Sequence, residues 1–208
     1  MHISEGVLNP EILAGAAVLT IAGSFVGLKK IDDTEIPTMG ILSAAFFVAS
    51  LVHVPAGPVS VHLVLNGLLG MILGWRAFPA ILISLSLQAM FFQFGGITTL
   101  GVNTLNMAGP ALLCYLCLGW SRRANMDKRV FAVAAFLCGA LSVLFSGLMV
   151  GFTLFLSGDA FLPVAKIAVV AHIPVMIIEG VLTASCMLFL RKVKPEMIEL
   201  KEVQDVVQ

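Results

Sequence analysis

The sequence predicts an all-α, polytopic membrane bundle of about seven transmembrane helices, and three observations carry that reading. Hydrophobic residues fill 59% of the 208 positions and charged residues only 12%, about half the charged share of soluble domains. The apolar residues fall into runs of roughly 17 to 25, the length that crosses a bilayer. The basic residues collect in alternate connections, as they do when they are held on the cytoplasmic side.

Taken in order, the runs are Pro10 to Leu28, Pro37 to Val54, Val59 to Trp75, Phe78 to Phe94, Thr104 to Trp120, Val130 to Leu156 and Pro163 to Leu190. With the N-terminus outside, seven crossings place Lys29, Lys30, Arg76, Arg122, Arg123, Lys128, Arg129, Arg191, Lys192, Lys194 and Lys201 inside and leave only Lys166 outside. The zero net charge is therefore a sum over two unlike faces and points to no nucleic-acid partner. Residues 1–9 lack the Lys or Arg of a signal-peptide n-region, so the N-terminus is expected to be mature and extracytoplasmic. Residues 1–191 read as one membrane domain and 192–208, where charged and apolar residues alternate, as a solvated cytoplasmic tail. Cys114, Cys117, Cys138 and Cys186 all fall within apolar runs, where cysteine acts as a small apolar residue.

Two connections on the outer side depart from short polar turns. Residues 53–62 (HVPAGPVSVH) predict an irregular Pro-Gly turn. Residues 95–103 (GGITTLGVN) place hydroxyl and amide groups in apolar surroundings. Irregular backbone at that depth is tolerated where protein buries it or it lines a cavity.

The chain opens Met1-His2, and the bulky second residue should protect the initiator methionine from removal. The terminal amine, the His2 amide nitrogen and His2 Nδ1 can then chelate one metal ion through a five-membered and a six-membered ring. A fourth nitrogen would complete a square plane, which suits Ni(II) or Cu(II). His62 is the first candidate for that position, with Asn66 four residues on and therefore on the same face of a helix. His53 is the rival. Glu5 is expected to cap the start of the first span, where a carboxylate is favoured. Gln93, Thr98, Thr99, Asn103 and Asn106 could line the site and hold the imidazoles in position. In the last run His172 and Glu179 lie seven apart, two turns along one face, and read as an intramembrane polar pair. Small residues at Ala45 and Ala49, and at Gly139 and Ala140, permit close helix approach. The sequence contains no phosphate loop, HExxH or GxSxG, so any pumping would draw its energy from a partner.

The opening Met1-His2-Ile3-Ser4-Glu5-Gly6, the segment from Pro55 to Gly67 that includes Ser60 and His62, the segment from Phe92 to Gly96 and that from Gly101 to Met107 resemble the CbiM/NikM family. These are the substrate-capture membrane subunits, or S components, of energy-coupling-factor importers for nickel and cobalt. The resemblance covers nearly all but the last fifteen or so residues. It implies a seven-helix bundle with the N-terminus folded back into the core, the ion held by the Met1 amine, the His2 amide nitrogen and Nδ1, and the His62 imidazole. It also implies a transmembrane coupling subunit, paired ATP-binding subunits and a small accessory membrane protein as partners, with the Ala45/Ala49 face docking on the coupling subunit. The resulting expectation is a non-enzymatic transport subunit of a prokaryotic inner membrane that carries Ni²⁺ or Co²⁺ as substrate and needs no organic cofactor. The alternatives are a metal-dependent membrane enzyme, for which Glu179 would be the deep carboxylate, and a structural membrane subunit without a ligand of its own.

Overall fold

The described residues of the computed structural model, 2–56, 59–122, 126–158 and 162–198, form seven α-helices and one short hairpin. In chain order these are α1 (Pro10–Leu28), α2 (Ile36–Ala49), β1 (His53–Ala56), β2 (Val59–His62), α3 (Asn66–Leu73), α4 (Ala77–Phe92), α5 (Leu100–Leu118), α6 (Lys128–Leu156) and α7 (Leu162–Val193). Local chemistry sets many of the starts. Proline occupies the first turn of α1 and of α2, where its missing N–H costs nothing. Asp127 caps α6 by accepting from the backbone N–H groups of Arg129 and Val130. Asp32 and Glu35 form a reciprocal capping box before α2.

Five stretches are long and apolar enough to cross a membrane: α1, residues 66–92 (α3, a 3₁₀ turn and α4), α5, α6, and residues 169–193 of α7. The chain is a helical membrane protein. Helix length alone accounts for five crossings rather than the seven expected, because α2 has 14 residues and α3 has eight. At 1.5 Å per residue these rise only about 21 and 12 Å.

The expected third span, Val59 to Trp75, is where the structure departs most from the sequence reading. Its first part is β2, paired antiparallel with β1 so that His53 lies opposite His62 and Pro55 opposite Ser60. The β-branched residues at 54, 59 and 61 favour that conformation, and strand pairing satisfies backbone that an irregular turn would leave exposed. Gly57 and Pro58 lie outside the described residues. Helix begins only at Asn66, after Leu65 adopts a left-handed conformation at φ 53°.

The helix ends sort into two groups. At one end Arg76 pairs with Glu35, Arg122 Nε donates to the carbonyl of Ile198 at 2.5 Å, and Arg191 donates to the carbonyl of Met126 at 2.6 Å. This basic end also gathers the connections bearing Lys29, Lys30 and Lys128. Ile198 is buried there, so the described part of the tail packs back onto the bundle instead of extending into solvent. Residues 199–208 lie outside the described residues. The N-terminal residues and the 93–99 loop occupy the opposite end, where Glu5 N donates to Gly95 O at 3.1 Å.

Between the ends, small residues let the helices approach closely. A Cβ on Gly67 of α3 would lie 2.6 Å from Cys138 O, Gly139 Cα and Ser142 Oγ of α6. Gly67→Ala should therefore lower thermal stability in detergent by about 1–3 kcal/mol, while Gly15→Ala, inside α1 with nothing within 4 Å, should not lower it and should raise it by up to about 1 kcal/mol. Thermal unfolding followed by circular dichroism checks both.

Candidate metal centre

The first residues of the chain are drawn into the bundle by α5. Asn103 Oδ1 accepts from Ile3 N at 2.8 Å, and Asn103 Nδ2 donates to Ile3 O at 3.1 Å. Nδ2 also donates to Thr99 Oγ1 at 3.2 Å. One amide side chain thus replaces a strand partner for a single extended residue, and Ile3 is fully buried. The 93–99 loop closes over this pairing. Gly95 has φ +77°, and a Cβ there would lie 2.7 Å from Asn103 Nδ2, so only glycine fits.

His2 and His62 are both buried and their rings stack, with centroids 4.6 Å apart and planes inclined by 29°. The hydrogen bonds of each ring decide which nitrogen keeps its lone pair. Gln88 Nε2 donates to Phe47 O at 3.4 Å and to Ser50 Oγ, which orients the Gln88 amide so that Oε1 faces His2. Since an amide oxygen only accepts, His2 Nε2, 2.8 Å away, donates to it, and in the neutral ring Nδ1 then carries the lone pair. Similarly, His62 Nδ1 lies 2.7 Å from Leu63 O and must donate to it. That leaves His62 Nε2 as the lone-pair nitrogen, buried and without a hydrogen-bond partner among the described residues. An imidazole whose other nitrogen donates to a fixed acceptor is the arrangement found at metal-binding histidines.

Among the described residues no group of three or more His, Cys, Asp or Glu could hold a metal ion. The donor set read from the sequence does not require one, because its remaining nitrogens belong to the backbone and the terminus. Met1 lies outside the described residues.

A family model described as the cobalt uptake substrate-specific transmembrane region, CbiM, matches residues 2–197. The chain belongs to the CbiM family. A putative metal transport protein of Haemophilus influenzae is 39% identical over 203 residues, covering 97% of this chain and 98% of its own. The fused nickel transport protein NikMN of Rhodobacter capsulatus is 34% identical over 137 residues, 62% of this chain and 40% of that longer one. A solved structure described as a truncated transition metal transporter superposes with a TM-score of 0.75 at 26% identity, covering 93% of this chain and 99% of its own. The CbiM-family chain is thus a substrate-specific membrane component of cobalt or nickel transport.

The other residues singled out in the sequence are dispersed. Asn66 and His62 do not share a helix face, because His62 ends a strand and the helical spacing between them does not apply. Its amide instead ties α3 to Met107 O (3.2 Å), to Ser146 Oγ (2.8 Å) and, as acceptor, to Ser142 Oγ (2.9 Å). Gln93 is exposed, turned outward by a left-handed residue at the end of α4. Thr98 donates through its N–H (3.0 Å) and Oγ1 (3.2 Å) to Glu5 Oε1, so Glu5 fastens the 93–99 loop instead of capping α1. The Thr98 N–H holds the Glu5 carboxyl below the ordinary glutamate range. Thr99 starts α5 and supports Asn103. Asn106 is buried a turn deeper on α5, its Nδ2 without a partner among the described residues. The side chains of His53 and Ser60 lie outside the described ones. Ala45 and Ala49 are half-buried on α2. His172 and Glu179 are buried on α7, and Glu179 turns its carboxylate to the backbone of Val64 and Leu65.

Gln88 and Ser50 were missed by the sequence reading. Gln88 stands alone as a long polar side chain in the apolar run from Ile81 to Phe92, and a lone polar group within a span is itself a signal of function. Asn103→Ala should release the N-terminal segment, leaving two buried backbone groups unpaired at about 1–3 kcal/mol each. Amide hydrogen exchange at Ile3 should accelerate by at least roughly tenfold, with exchange in α6 unchanged.

Proposed function

We propose that this chain is the substrate-capture subunit, the S component, of an ATP-driven energy-coupling-factor importer, binding Ni²⁺ or Co²⁺ outside the cell and delivering it to the cytoplasm. The observation that carries the reading is the buried pair of His2 and His62, with His62 Nε2 unpartnered among the described residues. The proposed donors are the Met1 amine, the His2 amide nitrogen and Nδ1, and His62 Nε2. The tautomers inferred for the two rings leave lone pairs on the nitrogens this set requires. Asn103, Thr99 and Gln88 hold the ligands in place, and Thr98 with Glu5 closes the loop beside them. Ser60, Asn66, Gln93 and Asn106 stay in the wider proposed lining, though Asn66 and Gln93 are engaged elsewhere.

Nickel is the preferred cargo. A deprotonated backbone amide and three further nitrogens favour square-planar Ni(II), while Co(II) more often takes tetrahedral or octahedral surroundings. The proposed topology has seven crossings in a prokaryotic inner membrane, the site end outside and the basic end cytoplasmic, a reading that the Lys and Arg distribution supports. The partners are a transmembrane coupling subunit, paired ATP-binding subunits that supply the energy, and a small accessory membrane subunit. The fused NikMN relative supports a membrane partner component. Docking on the coupling subunit is assigned to α2 around Ala45 and Ala49.

The test is metal content by mass spectrometry on purified proteins loaded with equimolar Ni²⁺ and Co²⁺ and then desalted. Wild type should retain nickel, and His2→Ala, His62→Ala and a variant with one residue inserted before His2 should not. Equal metal in all four would end the proposal. Gln88→Leu removes the acceptor that selects the His2 tautomer, and should weaken Ni²⁺ binding roughly 10–100-fold in a chelator competition without unfolding the protein.

A further inference from the structure

Glu179 takes no part in the donor set, yet it is completely buried within α7, and a carboxyl group inside a membrane span is costly and marks function by default. Its Oε1 accepts from two successive backbone N–H groups, those of Val64 and of Leu65, the latter at 2.9 Å. These two residues join β2 to α3. Their N–H groups belong neither to the ladder of the hairpin, which ends at the His53 and His62 pair, nor to α3, for which Leu65 is the N-cap. Val64 is itself fully buried, and its N–H is satisfied by Glu179. Leu65 adopts a left-handed conformation, φ 53° and ψ 13°, which costs a bulky residue about 1–2 kcal/mol and persists only where the surroundings enforce it.

We infer that Glu179 is a positioning residue for the metal-binding histidine: its carboxylate fixes the Val64–Leu65 backbone and thereby the His62 ring, which stacks on that of His2. The inference rests on the proposed ligand role of His62. The path is short and continuous. Glu179 Oε1 holds the N–H groups of residues 64 and 65, the carbonyl of residue 63 just before them accepts from His62 Nδ1 at 2.7 Å, and Nε2 on the far side of that ring has no partner among the described residues. The depth of the carboxylate is set independently by helix packing. A Cβ on Gly139 of α6 would lie 2.5 Å from the Glu179 carbonyl oxygen and 2.6 Å from Thr183 Oγ1, so α7 is pressed against α6 at this level. An apolar residue at 179 would serve that packing equally well. What it could not supply is an acceptor for two N–H groups.

The test uses the full chain in detergent, titrated with Ni²⁺ against a competing chelator, together with the ligand-field absorption of the nickel-loaded protein. Glu179→Gln keeps an oxygen at the same reach and should retain wild-type affinity and spectrum. Glu179→Asp keeps the charge but falls one methylene short. It should bind roughly 10–100-fold more weakly with an altered spectrum, as should Glu179→Ala. Circular dichroism and elution volume of the metal-free forms identify any variant that fails to fold. Should Ala do so, the comparison of Asp with Gln decides alone. Wild-type binding by Asp, or loss in Gln as large as that in Asp, would overturn the inference. Failure of the wild-type protein to bind Ni²⁺ or Co²⁺ would overturn the transport proposal itself, and is read in the same titration before any variant is compared.

Discussion

Burying the first residues of a chain among membrane helices obliges the bundle to supply a partner for every polar group they carry, and the site end is organised by that obligation. Ile3 gives up both its N–H and its carbonyl to Asn103, Glu5 N goes to Gly95 O, and the Glu5 carboxylate receives Thr98. Each of these contacts dictates something further along the chain. Because Asn103 must reach the backbone of residue 3, the 93–99 loop has to pass close above it, which is why Gly95 and Gly96 have positive φ and why α4 ends in a left-handed residue at Gln93.

The two histidines are held by the same logic from different parts of the chain. His2 owes its tautomer to Gln88 on α4, whose amide is in turn oriented by Phe47 and Ser50 at the end of α2. His62 owes its tautomer to the carbonyl beside it. Neither ring relies on a charged partner in these contacts. A neutral ring with one nitrogen committed to a carbonyl-type acceptor presents a lone pair at the other at little desolvation cost, whereas a buried imidazolium would have to be compensated. On the proposed reading, a site of this kind takes its donors from backbone and imidazole nitrogens and needs no convergent carboxylates or thiolates.

The helices were legible in the sequence because hydropathy and proline placement both report on them. The first run, Pro10 to Leu28, coincides with α1, and the sixth, Val130 to Leu156, with all but the first two residues of α6. The run from Val59 to Trp75 misled because hydropathy measures depth and not backbone conformation. A hairpin strand, a left-handed corner and an eight-residue helix are together as apolar as one span. That error carried into the site, since Asn66 was placed beside His62 by helical spacing that does not hold across a strand end. The choice of Gln93 over Gln88 had a similar origin. A glutamine next to a glycine-rich loop is the obvious candidate, yet the left-handed turn faces it outward, while Gln88 lies five residues earlier on the buried side of α4. Glu179 was legible as unusual. Its partner was not, because backbone N–H groups leave no trace in a sequence.

The hairpin and α3 also determine how far a change at His62 can travel. Every residue of α3 is buried, so no side of this helix faces lipid into which a displacement could relax. It begins at the corner held by Glu179, and Asn66 in its first turn is tied to Met107 on α5 and to Ser142 and Ser146 on α6. It ends beside Arg76, which pairs with Glu35, and there Ile72 and Leu73 line a cavity of about 350 Å³ together with Arg76, Lys194 and Glu196. A close-packed element of about 12 Å between the two ends behaves as a rigid spacer, because interiors at such density transmit strain. On the proposed reading, ligation at His62 and the arrangement of the basic end are then linked by one short helix and its side-chain ties, a contiguous physical connection of the kind coupling requires. The same rigidity explains why the bend into α3 is fixed by a buried carboxylate and not left to a flexible turn: a loose corner would uncouple the histidine from the helix that follows it.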